Sequence, residues 1–249
     1  MQVKNVEDFE RTRELTRIRI RQRKKKRQRE ILMHIMVCSA SIIIFLFVAG
    51  IVLKAVAPET ADANKKMLTK YIENPPVYTE QYLTPNEYSR PQIPLEEVNG
   101  LVIHYTANPG TTAQQNRNYF EGLAESKKTK VSSHFIVGLA GEIIQCIPVN
   151  EIAYASNERN ADTISIECCI DNEAGRFTEQ TYDAVVELTA WLVGEFDLEI
   201  DDIIRHYDVT GKNCPKYFVE NESAWVDFKT DVETYINTYG VKKIIENED

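Results

Sequence analysis

Three side chains that are far apart in the sequence have the types that bind a catalytic zinc ion: His104, His206 and Cys214. Each histidine closes a short apolar run, and the cysteine follows the second histidine within a Gly-Lys-Asn-Cys-Pro segment. Two imidazoles and one thiolate can hold zinc while a fourth position stays open for water. Zinc lowers the pKa of such a water to about 7, which provides a nucleophile at neutral pH. These residues therefore predict a zinc hydrolase with one Zn²⁺ per chain.

Glu167 is a carboxylate in the middle of an otherwise apolar run. Residues 163–170 read Thr-Ile-Ser-Ile-Glu-Cys-Cys-Ile, a pattern that predicts a strand. Side chains alternate between the two faces of a strand, so Ile164, Ile166 and Cys168 share one face and Glu167 points to the other. Burying a carboxylate is costly unless it faces a wet or charged site. The alternation therefore predicts that Glu167 faces a polar groove, such as one that holds a metal ion.

The elements that must position these residues alternate between strands and helices. Apolar runs predict strands at residues 101–105, 133–137, 142–147, 163–170 and 203–205. Amphipathic spacing predicts helices at residues 112–123, 178–196 and 223–239, the second of them capped by Thr178. This order indicates the α/β class, with a single central mixed β-sheet flanked by helices and preceded by one transmembrane helix. We expect one folded catalytic domain over residues 95–240, which is long enough to bury its own core.

Spacing alone leaves other interpretations open. A lone histidine at a strand end is more often a core or surface residue than a ligand, and long-range His/His/Cys patterns arise by chance. A cysteine hydrolase could use Cys168 or Cys169 with His134 or His206. Neither cysteine opens a helix after a turn, where thiolates are usually activated. If Cys214 binds metal, three cysteines of the domain remain, and this odd number favours buried free thiols over a disulfide framework.

Four ordered blocks of the sequence resemble the type-2 N-acetylmuramoyl-L-alanine amidases, zinc enzymes related to the peptidoglycan-recognition proteins. The blocks are Val102-Ile103-His104-Tyr105-Thr106; Ser132-Ser133-His134-Phe135-Ile136-Val137 followed by Gly141-Glu142-Ile143-Ile144-Gln145; Thr163-Ile164-Ser165-Ile166-Glu167; and Arg205-His206-Tyr207-Asp208-Val209-Thr210-Gly211-Lys212-Asn213-Cys214-Pro215. They extend across the predicted domain, whereas the N-terminal segments take no part in the resemblance.

The resemblance implies a role for each site residue. His104, His206 and Cys214 would be the zinc ligands, and Glu167 and Lys212 would be the catalytic pair. Glu167 would accept a proton from the attacking water and pass it to the leaving amine, while Lys212 would stabilise the developing oxyanion. The implied reaction is hydrolysis of the amide bond between the lactyl carbonyl of N-acetylmuramic acid and L-alanine in peptidoglycan.

Two neighbouring positions affect this expectation. Some relatives carry a tyrosine where this chain has Ser133, so more of the chemistry here would fall to Glu167. His134 matches a recurrent histidine of the family, and it could bind substrate or be held by hydrogen bonds beside the groove. The main alternative function is a non-catalytic peptidoglycan-binding receptor, although such relatives typically lack the cysteine ligand that Cys214 supplies here.

The first 53 residues predict a membrane anchor. Residues 31–53 contain no Asp, Glu, Lys or Arg, and a helix of this length extends about 35 Å, enough to cross a bilayer. Residues 1–30 carry a net charge of +7 and the remaining residues −16. We expect the basic arm to lie in the cytoplasm without binding nucleic acid, and the domain to lie outside a bacterial cell membrane that the chain crosses once.

Other interpretations of the N-terminal region are a buried core helix and a cleaved signal peptide. A further alternative for the whole protein is a structural membrane protein whose outer domain only scaffolds partners. The apolar run lacks a polar stripe, which disfavours a core helix. Ala55-Val56-Ala57 has the pattern of a cleavage site, but Pro58 directly after it and the long apolar run favour an uncleaved anchor. Residues 54–94 hold six of the nine prolines and predict a stalk, and residues 241–249 predict an acidic tail. The oligomeric state is left open.

Overall fold

Short, largely apolar runs form five of the strands in residues 68–243, the part of this protein that its computed structural model describes. The strands are β1 (Lys70–Tyr71), β2 (Thr79–Glu80), β3 (Leu101–Tyr105), β4 (Phe135–Val137), β5 (Ile143–Gln145), β6 (Ile164–Cys168), β7 (Ile203–Arg205) and β8 (Val241–Lys242). Six of them form a sheet in the order β2-β5-β4-β6-β3-β7. β4 and β5 pair antiparallel and the other neighbours pair parallel. The predicted α/β class with a central mixed sheet is confirmed.

Three long helices flank this sheet, and two short ones follow β7. They are α1 (Ala113–Ser126), α2 (Glu179–Glu195), α3 (His206–Thr210), α4 (Lys216–Glu220) and α5 (Glu222–Tyr239). The predicted bounds of α1, α2 and α5 agree with these within three residues. The sequence did not predict α3 and α4, because five residues are too few to show a helical period.

Side-chain caps fix where two of the long helices begin. The hydroxyl of Thr112 accepts the backbone N–H of Gln115 at 3.2 Å, and the Gln115 side chain accepts the N–H of Thr112 at 2.9 Å. This reciprocal pair satisfies two donors that the start of a helix leaves free. The hydroxyl of Thr178 caps α2 as predicted, because it accepts the N–H of Thr181 at 3.0 Å.

The sheet buries an apolar core on each face. Leu101 and Ile103 of β3 belong to the larger core, which α2 and α5 cover. Phe120 and Leu123 of α1 belong to the smaller core. Because strand residues alternate between faces, β3 contributes to the larger core with every second side chain and leaves the other side chains for the face beneath α1.

The same alternation places the predicted polar residues opposite the larger core. His104 and Glu167 are neighbours on the adjacent strands β3 and β6, and both alternate with residues of the larger core. Cys168 belongs to the larger core and Cys169 to the smaller one, which confirms that these two cysteines point to opposite faces. Within residues 68–243 all four cysteines are buried and none forms a disulfide, as the sequence predicted for Cys146, Cys168 and Cys169.

Part of the segment expected to be a stalk packs on the folded body instead. β1 pairs antiparallel with β8, and β2 extends the edge of the main sheet beside β5. Leu83 is fully buried in the smaller core, and Arg90 forms an ion pair with Glu151 at 2.7 Å. Residues 68–94 therefore differ from the extended linker expected there, because the edge of β5 offers them backbone partners and the smaller core takes up Leu83.

Several expectations fall outside the described residues. The basic arm at residues 1–30, the apolar run at residues 31–53 and most of the acidic tail lie beyond residues 68–243. Among the helices of residues 68–243, none combines the length and apolar character that crossing a bilayer requires. The membrane anchor remains a prediction from the sequence.

Candidate active site

The fold brings the three predicted metal ligands together. One donor atom from each of His104, His206 and Cys214 lies within 4.8 Å of the other two. The Sγ of Cys214 is 3.8 Å from Nδ1 of His104, and the two imidazole ring centroids are 4.7 Å apart. All three side chains are buried, with exposed fractions of 2% for His104 and Cys214 and 5% for His206. This cluster is the one predicted from residue type.

Parallel strand pairing explains how such distant residues meet. β7 pairs with β3, so the end of β7 lies beside the end of β3. His104 is the fourth residue of β3, and His206 directly follows β7 as the first residue of α3. Gly211 ends α3 with φ +76, a left-handed conformation that favours glycine, and the chain then turns back to Cys214. The carbonyl of Cys214 accepts the N–H of Tyr207 at 2.9 Å, which closes this loop against α3.

Arg205 anchors the helix that carries His206, and the sequence reasoning assigned it no role. Its guanidinium donates to both carboxylate oxygens of Asp208, at 3.1 and 2.9 Å, and to Glu222 at 2.6 Å. It also donates to the carbonyl of Phe218 at 3.0 Å. The Arg-His-Tyr-Asp spacing, which puts Arg205 three residues before Asp208, was the available signal.

Burial favours the neutral form of all three candidate ligand side chains. It lowers the pKa of His104 well below its ordinary value, and the positive charges of His206 and Lys212 act in the same direction. The pKa of His206 is also lowered by burial and by Lys212. Burial and the Glu167 carboxylate raise the pKa of the Cys214 thiol to about 12. Both imidazoles are therefore neutral, while the thiol must lose its proton when a cation binds.

A buried nitrogen without a partner supports the metal assignment. Nδ1 of His206 has no hydrogen-bond partner among residues 68–243. A buried polar atom left in this way is destabilising unless something else satisfies it. Two nitrogens and one sulfur that converge on one point, with one nitrogen unsatisfied, fit a metal ion that takes nitrogen and sulfur ligands.

Glu167 and Lys212, the predicted catalytic pair, line one groove beside this cluster. Glu167 pairs with His104 across the sheet, and its buried Oε2 has no hydrogen-bond partner among residues 68–243. Burial raises the pKa of Glu167 to about 8, although the ammonium of Lys212 lowers it. The groove has a volume of about 410 Å³. Its other lining residues are Tyr105, Thr106, Ala107, Asn108, Thr111, Gln115, Asn116, Tyr119, Phe120 and Val131.

A larger groove, of about 520 Å³, lies elsewhere on the molecule. Phe177 and Phe218, which line it, belong to the larger core on the opposite face of the sheet. It contains none of the predicted site residues. The smaller groove is therefore the candidate active site, because it contains Glu167 and Lys212.

His134 does not lie where a substrate could use it. Its Nδ1 accepts the backbone N–H of Ser165 at 3.0 Å, and its Nε2 is 2.9 Å from the carbonyl of Glu151. The side chain is buried, and both ring nitrogens have hydrogen-bond partners within the protein. The predicted substrate contact of His134 is not supported, because this histidine links β4 to its neighbours. Ser133 is likewise buried, and its hydroxyl donates to the carbonyl of Phe135 at 3.0 Å.

The alternative of a cysteine nucleophile also finds no support. Cys168 is fully buried in the larger core, and burial raises its pKa well above the ordinary value. Burial raises the pKa of Cys169 to about 12, although a hydrogen bond from Asn116 opposes the shift. Nucleophilic cysteines need a lowered pKa and access to substrate. Neither cysteine has both properties.

Known proteins resemble this chain over the region that contains the candidate site. Residues 94–217 match a family model described as N-acetylmuramoyl-L-alanine amidase. N-acetylmuramoyl-L-alanine amidase BlyA of Bacillus subtilis (strain 168) is 35% identical over 188 residues, which cover 67% of this chain and 50% of that protein. N-acetylmuramoyl-L-alanine amidase CwlL of Bacillus licheniformis is 35% identical over 171 residues, which cover 64% and 47%. The chain thus spans about half the length of the curated relatives it matches.

Solved structures show the same fold. PlyL aligns with a TM-score of 0.55 at 23% identity, over 63% of this chain and 97% of that one. The catalytic domain of XlyA aligns with a TM-score of 0.53 at 24% identity, over 63% and 99%. At this level of identity the likeness concerns the arrangement of strands and helices alone.

Proposed function

Because this chain belongs, through residues 94–217, to the N-acetylmuramoyl-L-alanine amidase family, we propose that it is a zinc-dependent amidase that acts on peptidoglycan. The bond cleaved joins the lactyl carbonyl of N-acetylmuramic acid to L-alanine of the stem peptide. One observation carries this proposal: the donor atoms of His104, His206 and Cys214 lie within 4.8 Å of one another, beside a groove lined by Glu167 and Lys212.

The donor set favours zinc. His104, His206 and Cys214 would hold it, and two imidazoles with one thiolate form a known ligand set of catalytic zinc. When bound, zinc would supply a water with a pKa near neutrality and polarise the scissile carbonyl. Cys214 has to give up its proton on binding, so uptake of the metal is expected to weaken as the pH falls.

Glu167 is suited to move the proton that this hydrolysis requires. The water oxygen forms a bond to the carbonyl carbon, the carbon–nitrogen bond breaks, and one proton of the water must reach the leaving amine. A general base works best when its pKa lies near the working pH. In the metal-free protein burial raises the pKa of Glu167 to about 8, and a bound cation nearby would lower it toward neutrality. Glu167 thus accepts the proton from water and then donates it to the nitrogen of L-alanine.

Lys212 supplies the positive charge that the carbonyl oxygen of the scissile bond needs in the transition state. It is exposed at the mouth of the groove, and its ammonium lowers the pKa of Glu167. In the transition state, negative charge develops on the carbonyl oxygen, and a fixed ammonium close to that oxygen stabilises it. Lys212 is two residues before Cys214, so the loop that positions the sulfur ligand also positions this charge.

The same proposal includes an anchor in the membrane. Residues 31–53 lack charged side chains, and the basic arm before them is typical of a cytoplasmic flank. A single, uncleaved transmembrane helix would then hold the domain outside the cell, where peptidoglycan lies.

The test is to incubate the full-length protein with purified peptidoglycan and to measure new amino-terminal alanine on the released peptides. We expect release that stops with a chelator and returns when zinc is added. Glu167→Gln is the matched variant: it should retain zinc and lose activity by about 10²–10⁴-fold, the usual contribution of a general base. Binding to peptidoglycan without any release of alanine would instead identify a receptor, and release that persists with chelator would exclude zinc.

A further inference from the structure

Two consecutive residues contact the two imidazoles of the metal cluster from outside it. Oγ of Ser156 is 3.1 Å from Nε2 of His104, and Oδ1 of Asn157 is 3.4 Å from Nε2 of His206. The first contact is buried, whereas the second is at the long end for a hydrogen bond and involves an exposed asparagine. Each histidine therefore has its Nε2 occupied by the same short segment of chain.

The other nitrogen of each ring is the one available for the metal. Nδ1 of His104 lies 3.8 Å from Sγ of Cys214, and Nδ1 of His206 is buried without a partner among residues 68–243. A neutral imidazole carries one proton, and a nitrogen can bind a metal only when the proton is on the other nitrogen. Because the oxygen of an amide only accepts, Nε2 of His206 carries the proton in its contact with Asn157. The hydroxyl of Ser156 can accept from His104 in the same way.

The backbone of this segment is itself held in place. Oδ1 of Asn160 accepts the N–H of Ala155 at 2.9 Å and the N–H of Ser156 at 2.6 Å. Asn157 has φ +54, a left-handed conformation that asparagine tolerates better than most residues with a side chain. Asn157 is also the first residue of a 3-10 turn, Asn157–Ala161. Local hydrogen bonds thus determine the positions of the two side chains that meet the histidines.

We propose that Ser156, and to a lesser degree Asn157, are positioning residues that fix the orientation and tautomer of His104 and His206 for metal binding. The inference rests on the proposed zinc site. Hydrogen bonds from the second nitrogen of a ligand histidine keep the ring in its binding orientation, and removing them typically lowers metal affinity about 10- to 100-fold. The segment therefore prepares both nitrogen ligands at once.

The experiment measures zinc affinity of the full-length protein by competition with a chromophoric chelator. Ser156→Ala should lower the affinity by about 10-fold or more. Ser133→Ala is the matched control, because Ser133 is also a buried serine with one hydrogen bond, to the carbonyl of Phe135, but is not in contact with a ligand. We expect its affinity to stay within about twofold of the wild-type value, well below the loss expected for an orienting partner.

Two substitutions at Asn157 distinguish the effect of its side-chain oxygen from the effect of its left-handed backbone conformation. Asn157→Gly keeps the left-handed conformation and removes the acceptor, so it should weaken zinc binding, though less than Ser156→Ala. Asn157→Asp keeps an acceptor oxygen and should bind zinc more tightly than Asn157→Gly. Cobalt substituted for zinc provides a second readout, since its visible spectrum should change in Ser156→Ala and stay unchanged in Ser133→Ala.

Three results would overturn this inference: a Ser156→Ala affinity within twofold of wild type, an equal loss in Ser133→Ala, or no zinc binding by the wild-type protein. The last result would also remove zinc from the proposed function. Alanine release and zinc binding by the wild type, together with unchanged affinity in Ser156→Ala, would sink the positioning role alone.

Discussion

At the scale of single residues, two of the groups that the proposed reaction uses lack hydrogen-bond partners within the described part of the fold. Glu167 Oε2 and His206 Nδ1 are both buried without hydrogen-bond partners among residues 68–243. Leaving such a group unsatisfied costs about 1–3 kcal/mol. A substrate, a metal ion or a water molecule that binds these two atoms would remove that cost, so both are candidate binding positions.

The unsatisfied carboxyl predicts a gain in stability when its charge is removed. The folded-state pKa of Glu167 is raised to about 8 by burial, above its ordinary value of 4.5. The native state therefore retains a proton that the unfolded chain releases, and stability falls as the pH rises from 4.5 to about 8. Glu167→Gln cannot ionise, so the metal-free variant should be roughly 3–5 kcal/mol more stable than wild type at pH 8, at about 1.4 kcal/mol per pKa unit, and nearly equal at pH 4.

Urea unfolding of both metal-free proteins at several pH values measures this difference. Glu142→Gln serves as a control, because Glu142 is exposed at the turn after β4, and such a surface substitution should change the free energy of unfolding by less than about 0.5 kcal/mol. A difference between Glu167→Gln and wild type that shrinks as the pH rises would contradict the assignment.

Cys214 and Cys169 are both buried cysteines, and only the first is a proposed ligand. A ligand that binds the native state stabilises it by about 2.7 kcal/mol at one hundred times its dissociation constant. Added zinc should therefore raise the melting temperature of the wild type and of Cys169→Ala, and it should have little effect on Cys214→Ser. Thermal unfolding with and without zinc measures the shift. An equal shift in Cys214→Ser would remove this sulfur from the metal site.

At the scale of elements, short apolar runs made β3 and β6 predictable, and with them the placement of His104 and Glu167. β3 spans Leu101–Tyr105, the run predicted, because its apolar residues leave little choice of face. The short helices α3 and α4 were missed, since what defines them is a network of tertiary contacts around Arg205 rather than a repeat in the sequence. The segment at Ser156 was missed for the same reason.

Removing Arg205 tests how strongly its hydrogen-bond network supports the site. Its side chain is buried, so removing it leaves Asp208 and the carbonyl of Phe218 without their donor. Arg205→Ala should destabilise the protein by about 1–3 kcal/mol, the cost of leaving partly buried acceptors without their donor. Because α3 carries His206, zinc affinity should fall as well.

Lys229 provides the matched control for this substitution. It pairs with Asp201 at 2.6 Å, and the Asp201 side chain is 95% exposed. Exposed pairs contribute about 0–1 kcal/mol, so Lys229→Ala should change the free energy of unfolding by less than 1 kcal/mol and leave zinc affinity unchanged. Urea unfolding and the chelator competition compare the two variants. Equal losses in both would show that the Arg205 network has no special role.

At the scale of the whole molecule, the sequence predicted the class of fold and the convergence of the ligands but not the limits of the folded body. The density of prolines suggested a stalk over residues 54–94. Composition cannot show which distant strand a two-residue strand will pair with, so the pairing of this segment was not predicted. β1 and β8, at opposite ends of the described chain, pair with each other, and β2 completes the edge of the main sheet. The part of the predicted stalk after residue 67 is thus structural.

Leu83 tests whether this segment supports the domain or merely connects it. Its side chain is fully buried in the smaller core, together with Phe120 and Leu123 of α1, the helix that walls the groove. Leu83→Ala should cost about 2–5 kcal/mol through lost burial and the cavity left behind. Val77→Ala, in the same segment, removes a side chain that is 96% exposed and should cost less than about 0.5 kcal/mol. If urea unfolding finds the two variants alike, residues 68–94 are a linker as the sequence suggested, and α1 is held in place without them.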